Sequence, residues 1–146
     1  MKMTLVDWVK NDWLKTHQTS KEEIQGLWSI VERELKDSQV EGISSDGQFN
    51  HAYRAALTLA TILLYISGYA PTRTQSHHHR TIETIPKILG TQTKDDAAYL
   101  QNCRAKRNAS EYDADNEASS AEADELIQFV KEFKSMVKDW VKNRGF

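Results

Sequence analysis

The densest run of polar side chains in the chain is Cys103-Arg-Ala-Lys-Arg-Asn-Ala-Ser-Glu-Tyr-Asp113. Arg104 and Arg107 stand three apart, so on a helix they share a face. Asn108 and Glu111 extend that side, and Tyr112 follows near the helix end. Two guanidiniums beside an amide and a phenol suit a phosphate or a nucleotide, because the planar fork donates two parallel hydrogen bonds to phosphate oxygens. The same spacing also fits a solvated helix end with an Arg107–Glu111 ion pair. A second cluster, Arg73-Thr-Gln-Ser-His-His-His-Arg80, sets three imidazoles in a row, His77 to His79. Consecutive side chains do not converge on one ion, and no acidic cluster nearby completes a tetrahedral set, so no metal is expected there. The stretch Asp113–Glu117 alternates carboxylates like the start of a calcium loop. Ala118 stands at its sixth position, where glycine makes the sharp turn, and Asp124 at its twelfth, where the loop wants glutamate. Cys103 is the sole cysteine. It can form no intrachain disulfide and no cysteine-based zinc site, and it reads as a small buried hydrophobe.

These groups need a scaffold, and the apolar spacing is helical throughout. Thr4–Leu14 predicts a short first helix with Leu5, Trp8, Val9 and Trp13 on one side. Ser20-Lys-Glu-Glu23 is a capping-box pattern, and the helix it opens carries Ile24, Leu27, Trp28, Val31 and Leu35 at steps of three and four. Glu41–Gln48 reads as a loop. A central helix over about Phe49–Ile66 is apolar nearly all round and is therefore surrounded by neighbours. Gly68 and Pro71 end it. His77–Gly90 is helical but split by Pro86. Thr93-Lys-Asp-Asp96 opens the helix that holds the arginines. Ser119-Ser-Ala-Glu122 caps a last helix with Leu126, Val130, Phe133, Val137 and Trp140 in a 4-3-4-3 pattern. Strand signals are negligible. The expected architecture is all-α: one domain over residues 1–146, an up-and-down bundle of about five helices, with residues 1–18 packed on it as a short helical segment.

Arg107-Asn-Ala-Ser-Glu-Tyr112, at the end of one helix and ahead of a long amphipathic last helix, resembles the signature of HEPN domains. These are small helical proteins common in prokaryotic toxin–antitoxin and defence systems. Many carry an arginine, usually followed by a polar residue, and then a histidine after four to six intervening residues. Two protomers then contribute a motif each to a metal-independent ribonuclease site. The present sequence is similar to a branch of the form Arg-Asn-x-x-Asp/Glu-Tyr, in which tyrosine takes the place of histidine. The likeness extends from Phe49 to the C-terminus, including Tyr53-Arg54-Ala55-Ala56 and the histidine-led helix over His77–Leu89. It implies a homodimer with a basic cleft between subunits, a ligand of RNA or nucleotide held by Arg104, Arg107, Asn108, Glu111 and Tyr112, and a nucleotidyltransferase as partner. It further implies that the start of the His77 helix lies near the motif, so that one of the three histidines completes a polar cleft.

The tyrosine matters for mechanism. Attack by a 2′-hydroxyl needs a general base. Histidine is largely neutral at pH 7, whereas a phenol is ionised only about one part in a thousand. Arg107 and Tyr112 are the expected catalytic pair if the chain is active, with His78 as an alternative base, since Arg73 to His78 also satisfies Arg-x4-His. The expectation is binding without efficient cleavage; an active ribonuclease toxin and a purely structural interaction bundle are the alternatives. The net charge of −2 excludes a strong overall basic field but not a local patch. No cofactor is implied. The strongly apolar part of the central helix, Ala55–Ile66, spans about 18 Å, short of a bilayer's hydrocarbon core, so no membrane association is expected. Cysteine usage and the charged N-terminus point to the cytoplasm.

Overall fold

The structure, a computed structural model, describes residues 3–74, 76–110 and 116–146. The described chain is predominantly helical, with one two-stranded ribbon. In order, the elements are α1 (Leu5–Lys10), β1 (Leu14–Thr16), α2 (Lys21–Asp37), α3 (Ser45–Ile66), β2 (Tyr69–Pro71), α4 (His77–Glu83), α5 (Ile85–Leu89), a 3-10 turn (Thr91–Thr93), α6 (Lys94–Ser110) and α7 (Ser120–Lys142).

The helix starts follow the cap chemistry. The Ser20 and Ser119 hydroxyls accept from the Glu23 and Glu122 amides, each satisfying an otherwise orphaned donor. At Ser119 the box is reciprocal, for Glu122 accepts from the Ser119 amide at 2.9 Å. At Ser20 it is not: Glu23 turns away to Thr19 and His17, both at 2.7 Å. The expected loop over Glu41–Gln48 is shorter than its composition suggests. α3 starts at Ser45, four residues before Phe49, and Ser44 caps it, accepting from the Gly47 amide. Pro86 splits the middle segment as expected, sitting in the first turn of α5, where a missing N–H costs nothing.

α3 is the hub. Its most extensive helix contacts are with α7 and α2, followed by α4 and α6. Ala52, Ala55, Ala56 and Ala60 are buried along it and let neighbouring backbones come close, while Leu59, Ile62 and Leu63 fill the gaps between. Each such large side chain contributes about 1.5–3 kcal/mol by leaving water. α7 returns to α3 with Leu126, Val130, Phe133 and Val137 buried in the predicted 4-3-4 order. Trp28 and Trp140 lie at the rim of this core, partly buried.

The N-terminal segment departs from expectation. α1 stops at Lys10, Asp12 takes a left-handed conformation (φ 61°), and Leu14–Thr16 pairs antiparallel with Tyr69–Pro71. Aspartate tolerates that conformation because its short side chain bonds locally. Strands of three residues carry no readable alternation, which is why the sequence shows no strand signal. The ribbon closes a second small core of Trp8, Leu14 and Leu64, with Trp13 edge-on to Trp8 at 5.4 Å. The Arg80 guanidinium lies 3.8 Å from the Trp13 ring centre, so both tryptophans are covered by this chain's own bundle. Among the described residues, no helix is long and apolar enough to cross a membrane.

Candidate functional site

α6 carries Arg104 and Arg107 toward α4 and α3. Arg104 Nε donates to Gln101 Oε1 at 3.0 Å, and the Gln101 amide donates to the His79 carbonyl at 2.9 Å. This chain of bonds ties the arginine helix to the start of α4. Arg107 lies one turn on, its guanidinium 5.5 Å from the ring centre of Tyr53 on α3.

Arg107 opens onto a cleft of about 430 Å3. α3 supplies Asn50, His51, Tyr53, Arg54 and Leu57 to its walls, α4 supplies His78, and α2 supplies Glu34. Arg107 and His78, picked out by sequence in separate clusters, thus share one cavity. Asn108 is exposed and does not line it. Arg104 does not line it either, although its charge reaches both Tyr53 and His78. Glu111 and Tyr112 lie outside the described residues.

Burial sets the protonation states. The Tyr53 side chain is 2% exposed, and burial pushes its phenol up to about 12 against the pull of Arg107 and Arg104. It is therefore a hydrogen-bond donor at neutral pH. Its hydroxyl has no hydrogen-bond partner among the described residues, and the same holds for Asn50 Oδ1 in the same cleft. Buried polar atoms are seldom left unpaired without a reason. His78 is pushed down to about 4, by burial first and then by the charges of His77, Arg107 and Arg104. It is neutral at pH 7.

Glu34 and His51 were not foreseen. Glu34 is 3% exposed, yet its carboxyl stays below the ordinary range. Burial pushes it up, but hydrogen bonds from His51 and Arg33 and the charges of Arg54 and His51 outweigh that cost. Its Oε2 is 2.7 Å from His51 Nδ1, and its Oε1 is 3.2 Å from Arg33 and 3.8 Å from Arg54. The readable signal was position: Glu34 follows Leu27 and Val31 at steps of four and three, a charge on the buried stripe of α2. Asp37 brings a third ligating atom, all three within 4.8 Å of one another. Both Glu34 oxygens are already taken up by imidazole and guanidinium, so the cluster is charge-balanced without an ion.

The chemistry available is therefore anion recognition: two guanidiniums, a protonated phenol and a neutral imidazole around one cavity, with a carboxylate-backed imidazole beside them. Comparison with protein-family models, curated proteins and solved structures returned no match.

Proposed function

We propose that the chain is an HEPN-like protein whose Arg107 cleft binds the phosphate groups of RNA or of a nucleotide. The observation that carries this reading is the meeting of Arg107 and Arg54 with the unpartnered, buried hydroxyl of Tyr53 in one cavity. Guanidiniums supply charge and parallel donors to phosphate oxygens, and the phenol adds a neutral donor that the fold itself leaves unused. The Arg107–Tyr112 motif supports the same assignment. With it come a homodimer whose two clefts face each other, a nucleotidyltransferase partner, and a place in a cytoplasmic toxin–antitoxin or defence pair. Tyr112, as a poor proton acceptor, makes binding rather than turnover the primary role of the motif. A second reading, an active ribonuclease, is favoured by the neutral His78 beside Arg107.

Titration of a fluorescent single-stranded RNA oligomer, repeated over a salt series, tests the proposal. The wild-type protein should bind saturably, more weakly as salt rises. Arg107→Ala should weaken binding roughly 10- to 100-fold, the loss of one charge-assisted hydrogen-bonding group. Absence of binding at low salt, or binding indifferent to Arg107→Ala, would favour a structural interaction bundle instead. Light scattering of the same samples reads the dimer.

A further inference from the structure

Among the described residues, the buried polar set is Glu34 with Ser38, Thr81, Thr84 and Thr93. The four hydroxyls explain themselves: each donates to a carbonyl three or four residues back, at 2.6–2.8 Å. Glu34 is different. It sits on the apolar stripe of α2, where a leucine would fill the space without the desolvation of a charge. Its partners are His51 and Arg54 of α3, with Arg33 of its own helix.

Histidine–carboxylate pairs occur three times among the described residues, each at 2.7 Å: His17–Glu23, His51–Glu34 and His79–Glu83. In two of them the carboxylate is partly solvated, Glu23 and Glu83 being 38% and 36% exposed. In the third the Glu34 carboxylate is 4% exposed while the imidazole reaches the cleft. An ionised carboxylate only accepts, so His51 Nδ1 carries the proton and Nε2 is left with a lone pair. A buried anion behind an accessible imidazole is the arrangement that orients a proton acceptor and stabilises its cation. His78 is the poorer acceptor of the two, with no carboxylate behind it and the cations of Arg107 and Arg104 nearby.

We propose that Glu34 and His51 form the proton-transfer pair of this cleft, and that its substrate is an RNA phosphodiester. The inference rests on the reading of the cleft as a phosphate site. His51 Nε2 takes the proton of the 2′-hydroxyl, and that oxygen bonds to the adjacent phosphorus. The P–O5′ bond breaks, and O5′ takes a proton from water. The hydroxide so formed recovers the proton from His51. The products are a 2′,3′-cyclic phosphate and a 5′-hydroxyl. Arg107 and Arg54 stabilise the charge on the non-bridging oxygens, and Glu34 is a positioning residue that acts through His51. The titratable and charged groups facing His51 are Glu34, Arg33 and Asp37 from α2, Arg54 and Tyr53 from α3, His78 from α4 and Arg107 from α6.

The test follows binding and cleavage of one RNA oligomer and its all-deoxy counterpart by the full chain. Wild-type protein should cut the RNA, leave the deoxy strand intact, and yield the cyclic phosphate. His51→Gln, at a half-exposed position, should lower cleavage about 100-fold or more while binding stays within about threefold. Glu34→Gln should lower kcat about 10-fold or more while KM stays within about twofold, because an amide no longer fixes the tautomer and orientation of the imidazole. His17→Gln, in the solvated pair, should change nothing. RNA bound but not cut by the wild-type chain, or cut equally by His51→Gln, would overturn the inference and leave the binding site standing. RNA neither bound nor cut would remove both.

Discussion

α6 has two polar faces, and they behave in opposite ways. One looks onto the cleft of Arg107, His78 and Tyr53. The other looks onto a groove of about 280 Å3 where Tyr99, Cys103 and Lys106 meet Glu122 and Glu125 of α7. Burial acts on both. In the groove it holds the Cys103 thiol up at about 11, reinforced by Glu125 and Glu122, and it raises the Tyr99 phenol as well. Burial, with the negative neighbours adding to it, leaves those groups protonated and inert. In the cleft the buried acid accepts hydrogen bonds from His51 and Arg33 with the Arg54 charge beside them, and Glu34 stays ionised despite its burial. Desolvation alone favours the neutral form; the sign of the surrounding charge decides whether a buried group remains reactive. The weakly amphipathic look of α6 follows from this division, since polar residues are needed on both sides.

The contrast can be attacked from either side. The largest expected effect lies in the groove. Alkylation or disulfide exchange needs the thiolate, so Cys103 in the folded protein should react with a thiol reagent about 100-fold or more slowly than in denaturant. Fast labelling would mean that the groove is neither dry nor acidic. On the cleft side, Arg54→Ala should weaken RNA binding roughly 5- to 20-fold, whereas Lys106→Ala, which removes the 3.6 Å pair to Glu122, should leave it within about twofold. Equal losses for both would erase the distinction between the faces.

Stability against acid sharpens the same point. His78 has a folded pKa of about 4, below its unfolded value, so the unfolded chain binds the extra proton between about pH 6.5 and 4. Stability should therefore fall as pH drops through that window, by about 1–2 kcal/mol once the ring's partial solvent contact is discounted. Glu34, with its pKa held below the ordinary value, contributes stability above the unfolded carboxyl pKa and loses it at still lower pH. Urea midpoints for wild type and His78→Gln across pH 4–7 check this; the variant's curve should be flatter above pH 4. The smallest effect is Cys103→Ala, which should cost about 1 kcal/mol as a small cavity and leave RNA binding alone.

Much of the scaffold was written in local signals. The Ser20 and Ser119 caps, the Pro86 break, the left-handed glycine at Gly68 and the stripe of α7 each depend on neighbours within a turn or two. The ribbon of Leu14–Thr16 with Tyr69–Pro71 was not legible, because its bonds join segments more than fifty residues apart and neither is long enough to show a period. The site divides in the same way. Arg104 and Arg107 declare themselves by spacing, and His78 by its place at a helix start. The Glu34–His51 bond joins α2 to α3, and its trace in the sequence is one charge on an apolar stripe, easily passed over when apolar positions are being counted.

The central claim is that the cleft, and not the opposite face of α6, takes an anion. Histidine and aromatic side-chain NMR during titration with a short RNA oligomer tests it most directly. The account predicts saturable shifts of His51, His78 and Tyr53, with Tyr99 and Phe129, whose rings lie 4.9 Å apart between α6 and α7, unmoved. Shifts confined to the Tyr99–Phe129 side, or none at saturating RNA, would contradict it.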